Sequence, residues 1–319
     1  MQTFKKENLV FRSAVLQKIR QFFYDRSFCE VQTPILSADT VIDRCIEPIS
    51  VTESTLPANH HGTKTYYLQT SPEAAMKRLL AGGMDAVFQI APVFRSGDRG
   101  QRHNPEFTML EWYRTGDDYQ TGMNLLAELV QSLLPGQKIG FQTFRDIFAT
   151  KTGLNPHRTS VPELRAAAEK SGISIPDSYR SEPADAWIDL LFAECIQPGL
   201  EAVIVFDYPA SQSQLAQVRQ ENGTAVSERF ELFLNGLEIA NGYHELCDAD
   251  ELRRRFQENN RCRILSGRQP LPEKNRLLTA MERGLPPCSG SALGIDRLLM
   301  VMLQAGTIDE VMTFPVETA

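Results

Sequence analysis

The chain has 319 residues, of which 42% are hydrophobic and 23% charged, a composition typical of a folded globular protein with one large core or two smaller ones. Its formal net charge of −7 argues against a broad nucleic-acid-binding face, which normally needs excess basic residues. No apolar run reaches membrane-spanning length, residues 1–6 lack the apolar core of a signal peptide, and no two cysteines form a Cys-x-x-Cys pair. We therefore expect a cytoplasmic protein with no membrane contact, no zinc site and no disulfide framework.

The N-terminal segment predicts a helix followed by a short strand. Apolar residues recur at helical spacing from Asn8 to Arg26, which indicates an amphipathic helix. Residues 28–34 read as a strand that ends at Pro34, because proline cannot donate a hydrogen bond to a neighbouring strand.

A second helix is predicted after a strand at residues 66–69. We expect it to begin with Ser71 as the N-cap, Pro72 at the first helical position and Glu73 in the first turn. The Glu73 carboxylate suits the positive end of the helix dipole, and this structural role is the alternative to a role in binding.

The stretch from Phe94 to Tyr113 predicts two strands joined by a long basic loop. Apolar runs at 86–94 and 107–113 read as the strands, and the glycines and proline between them read as the loop. The basic side chains of the loop are Arg95, Arg99, Arg102 and His103. This charge favours an anion site, and the alternative is a solvated hairpin tip.

The middle and the end of the chain alternate helices with strands. Helices are predicted at 120–134, from residue 161, at 185–195, at 248–265 and at 271–283, and a strand at 203–206. The segment 135–200 reads as a helical insertion without recognisable chemistry. A strand of small residues from Cys288 leads into an apolar helix that includes Met300.

Residues 229–246 predict a hairpin with two acidic side chains on one face. Asn235-Gly236 between two apolar alternations is the strongest short-range hairpin signal. Glu231 lies four residues before this turn and Glu238 two residues after it, so both can point to the same side. Neighbouring carboxylates repel unless a cation lies between them, so the alternatives are a divalent-cation site and an exposed polar face.

These stretches together resemble the class II aminoacyl-tRNA synthetases, and the lysyl branch in particular. Phe94-Arg95 followed by Arg102-His103-Asn104-Pro105-Glu106-Phe107-Thr108-Met109 is similar to motif 2 of that family. The unit from Asn8 to Pro34 is similar to motif 1, and Gly290, Gly294 and Arg297 are similar to motif 3. The hairpin also matches the lysyl pattern, so the resemblance covers nearly the whole chain.

The resemblance implies an α+β fold, namely a class II synthetase catalytic core with a mostly antiparallel sheet flanked by helices. It implies a single catalytic domain over residues 1–319, with the helical insertion at 135–200. Motif 1 forms the dimer interface in this family, which implies a homodimer. Because the motif 1 helix starts near Asn8 and little follows motif 3, we expect no anticodon-binding domain.

The resemblance also assigns roles to individual residues. The residues expected to bind ATP are Arg95, Ser96, Gly97, His103, Asn104, Phe107, Glu238, Ile239, Gly294 and Arg297. Those expected to bind the lysine-like substrate are Ser71, Pro72, Glu73, Tyr113, Asn241, Tyr243, Glu245 and Ala292. The expected catalytic residues are Arg95, Arg297, Glu231 and Glu238, and the two glutamates are the expected ligands of Mg²⁺.

Three positions depart from the family pattern. Gly97 stands where the family usually has a glutamate that contacts the adenine, and it is open whether Asp98 replaces that contact. Ala292 replaces the middle glycine of motif 3, and Tyr243 stands where the lysyl enzymes have phenylalanine.

The charges of the predicted pocket indicate the amino acid substrate. The resemblance of a catalytic core without an anticodon-binding domain indicates the acceptor of the amino acid. Two carboxylates, Glu73 and Glu245, suit a substrate with two ammonium groups, such as lysine or β-lysine. A core that carries Leu110-Glu111-Trp112-Tyr113 and Ala292 closely resembles the elongation factor P lysyl-transferases, which are lysyl-tRNA synthetase paralogues. That resemblance implies ATP-dependent activation of (R)-β-lysine and its transfer to a lysine of elongation factor P, without tRNA.

Two other functions stay open from the sequence alone. A stand-alone enzyme of this type could acylate tRNA or a small-molecule acceptor, or could amidate aspartate, as the asparagine synthetase relatives do. A non-catalytic paralogue could serve as a regulatory or binding subunit. The presence of Arg95, Arg297, Glu231 and Glu238 argues against the second alternative.

Overall fold

A computed structural model of the chain describes residues 5–319, without the side chains of residues 178 and 180. The chain divides into two compact units. Unit 1 consists of Met1–Asp118 and Leu246–Ala319, and unit 2 consists of Tyr119–Glu245. Within the described residues, no helix combines the length and apolarity needed to cross a membrane.

The elements follow one another through both units. The first segment of unit 1 contains α1 (Lys6–Tyr24), β1 (Cys29–Glu30), β2 (Leu36–Ser37), β3 (Ser50–Thr52), β4 (Thr65–Leu68), α2 (Glu73–Ala81), β5 (Ala86–Phe94) and β6 (Glu106–Thr115). Unit 2 contains α3 (Tyr119–Leu133), β7 (Gly140–Thr143), α4 (Phe144–Thr152), α5 (Val161–Lys170), α6 (Ala184–Leu191), β8 (Ala202–Pro209), β9 (Val218–Glu221), β10 (Thr224–Leu234) and β11 (Leu237–His244). The second segment of unit 1 adds α7 (Ala249–Leu265), α8 (Arg276–Glu282), β12 (Cys288–Gly294) and α9 (Ile295–Leu303).

Unit 1 is built on strands in the order β1-β5-β6-β12. Both β5 and β12 are antiparallel to β6, and only the short β1 runs parallel to its neighbour. The apolar stripe of α1 packs on this sheet, where the rings of Phe23 and Phe88 stack with centroids 4.7 Å apart. A smaller sheet, in the order β2-β4-β3, precedes α2.

Unit 2 has strands in the order β11-β10-β8-β7, with β9 paired to β10. Its core lies between these strands and α4, α5 and α6, and it combines buried aromatic and aliphatic side chains. The segment 135–200 therefore contains the strand β7 as well as helices. The antiparallel pairing in both units confirms the predicted α+β fold class.

Most predicted elements are confirmed, and three predicted boundaries are wrong. The strand at 28–34 is only Cys29–Glu30. The helix predicted at 271–283 begins at Arg276, because the Asn275 side chain accepts a hydrogen bond from the Leu277 amide and caps it there. The N-cap of α2 is Pro72 rather than Ser71, although the Ser71 hydroxyl still accepts a hydrogen bond of 3.0 Å from the Glu73 amide.

Candidate active site

One face of the unit 1 sheet carries several of the predicted site residues. Alternation along β6 places Phe107, Glu111 and Tyr113 on the same face. The neighbouring strand β12 pairs Ala292 directly with Glu111 and Gly290 with Tyr113. Directly opposed residues of an antiparallel pair share a face, so small residues line β12 where β6 carries long polar ones.

The carboxyl group of Glu111 is the centre of this face. Its side chain is 1% exposed, and it accepts hydrogen bonds from the Ser71 hydroxyl at 2.6 Å and the Tyr113 hydroxyl at 2.9 Å. Burial, and then the nearby negative charge of Glu73, raise the pKa of Glu111 to about 8. At neutral pH this carboxyl group is therefore mostly protonated, and an added cation would favour its ionised form.

Glu73 is paired inside the fold. The ammonium group of Lys77, one turn along α2, lies 2.5 Å from the Glu73 carboxylate and is almost fully buried. Lys77 also lies 5.9 Å from the centre of the Tyr113 ring. With Glu111 protonated, the group of Glu73, Lys77 and Glu111 carries no net charge, so ionising Glu111 leaves one negative charge for a bound ammonium group.

Arg95 follows β5 and lies beside Phe107. Its backbone amide donates to the Pro105 carbonyl at 2.9 Å, and its guanidinium carbon lies 5.1 Å from the centre of the Phe107 ring. The Nε atom of Arg95 is buried and has no hydrogen-bond acceptor among the described residues. A buried guanidinium donor of this kind suits a phosphate or carboxylate oxygen.

His103 and Arg297 meet at the other end of the basic loop. Nη2 of Arg297 lies 2.5 Å from Nε2 of His103. Desolvation, followed by the positive charge of Arg297, lowers the pKa of His103. This shift favours the neutral imidazole of His103, whose Nε2 can then accept a hydrogen bond from the Arg297 guanidinium group.

Other residues of the basic loop are used to fix its shape. Arg99 pairs with Glu317 at 2.5 Å and with Asp309 at 3.0 Å, so its charge is neutralised within unit 1. The buried Asn104 amide donates to the Glu106 carbonyl at 2.6 Å and accepts from the Val316 amide at 3.1 Å. The Asn104 side chain therefore makes hydrogen bonds within unit 1. The sequence predicted that it contacts ATP.

The turn at Ser96 and Gly97 explains one departure from the family pattern. The Ser96 amide donates to the Glu47 carbonyl at 2.8 Å, and Gly97 has a positive φ of 82°. A glutamate there would be held in the left-handed region that non-glycine residues avoid. The negative charge of Asp98 partly opposes the lowering of the His103 pKa, so the Asp98 carboxylate lies near the basic side chains of the loop.

In unit 2, a β-bulge gathers the predicted residues of the hairpin on one face. Asn235 and Gly236 both have positive φ, as a tight two-residue turn requires. The pairing runs from Phe233 with Glu238 to Leu232 with Ala240, which leaves Ile239 as the extra residue.

The bulge changes which residues of β11 face Glu231. Glu231 pairs with Asn241, and Arg229 pairs with Tyr243. A regular hairpin would instead have paired Glu231 with Ala240 and turned Asn241 and Tyr243 to the opposite face.

The Glu231 carboxylate lies in a buried network. It accepts from the Tyr208 hydroxyl at 2.6 Å and pairs with the guanidinium group of Arg229, which also lies over the Tyr208 ring. Burial raises the pKa of Glu231, Arg229 opposes this effect, and the negative charge of Glu238 adds to it. The two acidic side chains are thus close enough to repel, and Arg229 already provides one counter-charge.

The remaining predicted substrate residues of unit 2 lie along the end of β11. The Tyr243 hydroxyl donates to the Gln214 side chain, and Glu245 is 1% exposed. The Gln217 side chain donates to the Glu245 carbonyl at 3.0 Å.

Comparisons with known proteins give the family. Residues 1–318 match the family model described as tRNA synthetases class II (D, K and N). The chain belongs to this family. Among curated proteins, the elongation factor P--(R)-beta-lysine ligases of Haemophilus ducreyi and Klebsiella pneumoniae are each 42% identical to it over 316 residues, and that of Pectobacterium atrosepticum is 40% identical over 315. Each alignment covers 98% of this chain and 95–96% of the relative.

For this class II synthetase, sequence reasoning missed two features of unit 1. The first is Glu111, whose available signal was a charged residue inside an apolar strand. The second is a network in which Asp296 pairs with Arg12 at 2.5 Å and accepts from the Thr108 amide at 2.6 Å. These three residues come from the segments that resemble motifs 3, 1 and 2, so the network ties the motifs together.

Proposed function

We propose that the chain is an ATP-dependent ligase that activates (R)-β-lysine as its adenylate and transfers it to a lysine of elongation factor P. The names of its curated relatives, which align over almost their full length, support this activity. The structural observation that supports it most is the buried group of Glu111, Glu73 and Lys77. This group can accept one ammonium ion on the same sheet face that carries Phe107.

The first step is attack of a substrate carboxylate oxygen on the α-phosphorus of ATP. A bond forms between that oxygen and phosphorus, and the bond to the pyrophosphate oxygen breaks. Such a step needs alignment and charge neutralisation more than proton transfer. In our proposal Arg95 bridges the α-phosphate and the substrate carboxylate, Phe107 stacks on the adenine, and His103 with Arg297 binds the departing phosphates.

The second step is acyl transfer. The neutral amine of the acceptor lysine attacks the carbonyl carbon of the adenylate, a C–N bond forms, and the C–O bond to AMP breaks. The nitrogen then loses a proton, and AMP leaves as the phosphate monoester. The product is an amide on elongation factor P.

We further propose that Glu231 and Glu238 hold Mg²⁺ on the triphosphate. Carboxylate oxygens are the ligands that Mg²⁺ prefers, and the mutual repulsion of these two side chains would be relieved by a divalent cation. Arg229 and Tyr208 already contact Glu231, so they would orient its carboxylate toward the ion. When bound, the ion would neutralise charge on the phosphate oxygens.

The test is the intact mass of purified elongation factor P after incubation with this protein, ATP and each lysine isomer. We expect a mass increase of one lysyl group, largest with (R)-β-lysine. Arg95→Ala should lower adenylate formation about a hundredfold, because it removes a transition-state charge contact. If elongation factor P stays unmodified while tRNA becomes acylated in a parallel reaction, the proposed acceptor is wrong.

A further inference from the structure

Three side chains of unit 1 outside the candidate active site converge on a single point. The ligand atoms of Asp39, His60 and His61 all lie within 4.8 Å of one another. The two histidines are adjacent in the loop between β3 and β4, and Asp39 follows β2. None of these residues belongs to the motifs that define the family resemblance.

Both histidines approach the same carboxylate oxygen, and only the His61 contact has the geometry of a hydrogen bond. Nε2 of His60 and Nε2 of His61 lie 2.9 Å and 3.2 Å from the same Asp39 oxygen. Neither ring nitrogen of His60 has a hydrogen-bond partner among the described residues, although both are buried. A tetrahedral ion with ligand bonds of about 2.0–2.1 Å holds its ligand atoms about 3.3–3.4 Å apart. The two contacts with Asp39 are slightly shorter than this, and all three ligand atoms lie within 4.8 Å of one another.

The loop that carries the two histidines is held by Asn59. Its side-chain oxygen accepts from the His61 amide at 2.9 Å, and its side-chain amide donates to the Thr65 carbonyl at 2.6 Å. Gly62 completes the turn with a positive φ of 76°. The backbone of the histidine pair is therefore fixed by local hydrogen bonds.

Asp39 is fixed from the other side. Its second carboxylate oxygen accepts from the Arg276 amide at the start of α8 at 3.2 Å, and its own amide donates to the Ser37 hydroxyl at 3.1 Å. The Asp39 side chain is only 7% exposed, so the oxygen that faces the histidines is largely shielded from water. A carboxylate oriented by such contacts is a typical metal ligand.

We propose that Asp39, His60 and His61 bind one divalent transition-metal ion, with Zn²⁺ as the best match. Two imidazoles and one carboxylate suit Zn²⁺ and similar borderline ions, whereas Mg²⁺ prefers oxygen ligands alone. Three protein ligands leave a fourth position for water. The sequence argued against zinc only because it lacks Cys-x-x-Cys pairs, and this cluster uses no cysteine.

The ion would join the loop between β3 and β4 to the segment after β2. Because all three side chains would hold the same ion, its binding would stabilise unit 1, and this stabilisation would grow with the logarithm of the free zinc concentration above the dissociation constant. This role is independent of the proposed ligase activity.

The test is equilibrium dialysis of the full chain against ZnCl₂ after treatment with a chelator, with bound zinc measured by elemental mass spectrometry. We expect one zinc ion per chain, and we expect the melting temperature to rise with free zinc. The double variant His60→Ala/His61→Ala should bind zinc roughly tenfold more weakly or worse, and zinc should no longer raise its melting temperature. The matched control is His157→Ala, which removes a histidine from unit 2 and should bind like the parent.

A second variant keeps the proposal testable if the alanine variant folds poorly. Asp39→Asn preserves the size of the side chain and removes the anionic ligand, so its zinc affinity should also fall by about tenfold or more. Retention of one tightly bound zinc ion by both variants would overturn the assignment. So would a parent chain that binds less than one equivalent at micromolar free zinc.

Discussion

At the scale of single residues, the buried carboxyl group of Glu111 has the largest consequence for pH dependence. Its pKa is raised to about 8 in the folded chain from an ordinary value near 4.5. Between these two values the folded state holds a proton that the unfolded state has released. The free energy of unfolding therefore falls as pH rises through this window, by up to about 1.4 kcal/mol per pH unit from this group.

The prediction is that Glu111→Gln removes this slope, because glutamine mimics the neutral acid. Urea unfolding at pH 5.5 and 7.5 should show that the parent loses roughly 2–3 kcal/mol more than the variant. The control is Glu106→Gln, an exposed position on the same strand, which should behave like the parent. Equal pH dependence in parent and Glu111→Gln would mean that Glu111 is ionised in the folded chain.

Ala292 is the second residue with a testable consequence. It pairs directly with Glu111 across β6 and β12, where the family pattern has glycine. Moving an amine from the α to the β carbon shifts it by about one bond length, and one methyl group in a tight pocket discriminates by about 1–3 kcal/mol. We expect Ala292→Gly to improve activation of α-lysine and to narrow the preference for (R)-β-lysine by roughly 10–200-fold.

The measurement for Ala292 is ATP–pyrophosphate exchange with each isomer, for parent and variant. The ratio of the two efficiencies is the quantity to compare, since loss of stability lowers both equally. If the ratio of the two efficiencies is the same in parent and variant, the Ala292 methyl group does not select the isomer and only packs beneath α9.

At the scale of elements, the hairpin shows what local sequence can and cannot predict. Asn235-Gly236 determines the turn because its chemistry is local, so the turn and both strands were predicted correctly. The bulge at Ile239 was not predicted, because no residue type marks it and pairing with β10 establishes it. The sequence thus placed Glu231 and Glu238 on one face, and only the structure adds Asn241 to them.

The same contrast explains the other differences between prediction and structure. The cap at Asn275, the pairing of Glu73 with Lys77 and the meeting of Asp39 with His60 all depend on side chains or chain segments brought together by folding. Periodicity detects a buried face but not which distant group lies against it. The family resemblance names site residues by their position in a motif. It does not show which other groups of the fold contact them, such as Lys77 beside Glu73.

Gly236 gives a prediction about this hairpin. It has a positive φ of 73°, and a Cβ atom there would lie 3.2 Å from the Gln197 carbonyl oxygen and from Pro198. Gly223 has the same φ in the turn before β10, but a Cβ there would meet nothing within 4 Å. Gly223→Ala should therefore lose only about 1–2 kcal/mol for the backbone conformation, and Gly236→Ala about 1–3 kcal/mol more for the collision.

Urea unfolding of the two glycine variants separates these effects. The difference in unfolding free energy between the two variants isolates the steric collision, because both variants carry an alanine in the left-handed conformation. Equal losses would show that the segment at Gln197 moves aside at little cost.

At the scale of the whole molecule, the family resemblance of the segment from Asn8 to Pro34 predicts a homodimer. The surface of α1 fits this expectation, because Val10 is 61% exposed and Tyr24 is 49% exposed. Fourteen residues apart on a helix, these two side chains lie within about 40° of each other around the axis. Ile35 and Leu36, at the start of β2, add further exposed apolar surface.

Light scattering coupled to gel filtration tests the dimer. We expect a species of twice the chain mass of 35.9 kDa at micromolar concentration. Val10→Glu places a charge in the predicted interface and should raise the dimer dissociation constant by roughly tenfold or more. Val218→Glu changes a similarly exposed valine on β9 of unit 2 and should leave the mass unchanged. A parent protein that elutes only at 35.9 kDa would rule out the dimer, and a dimer equally stable in Val10→Glu would move the interface away from α1.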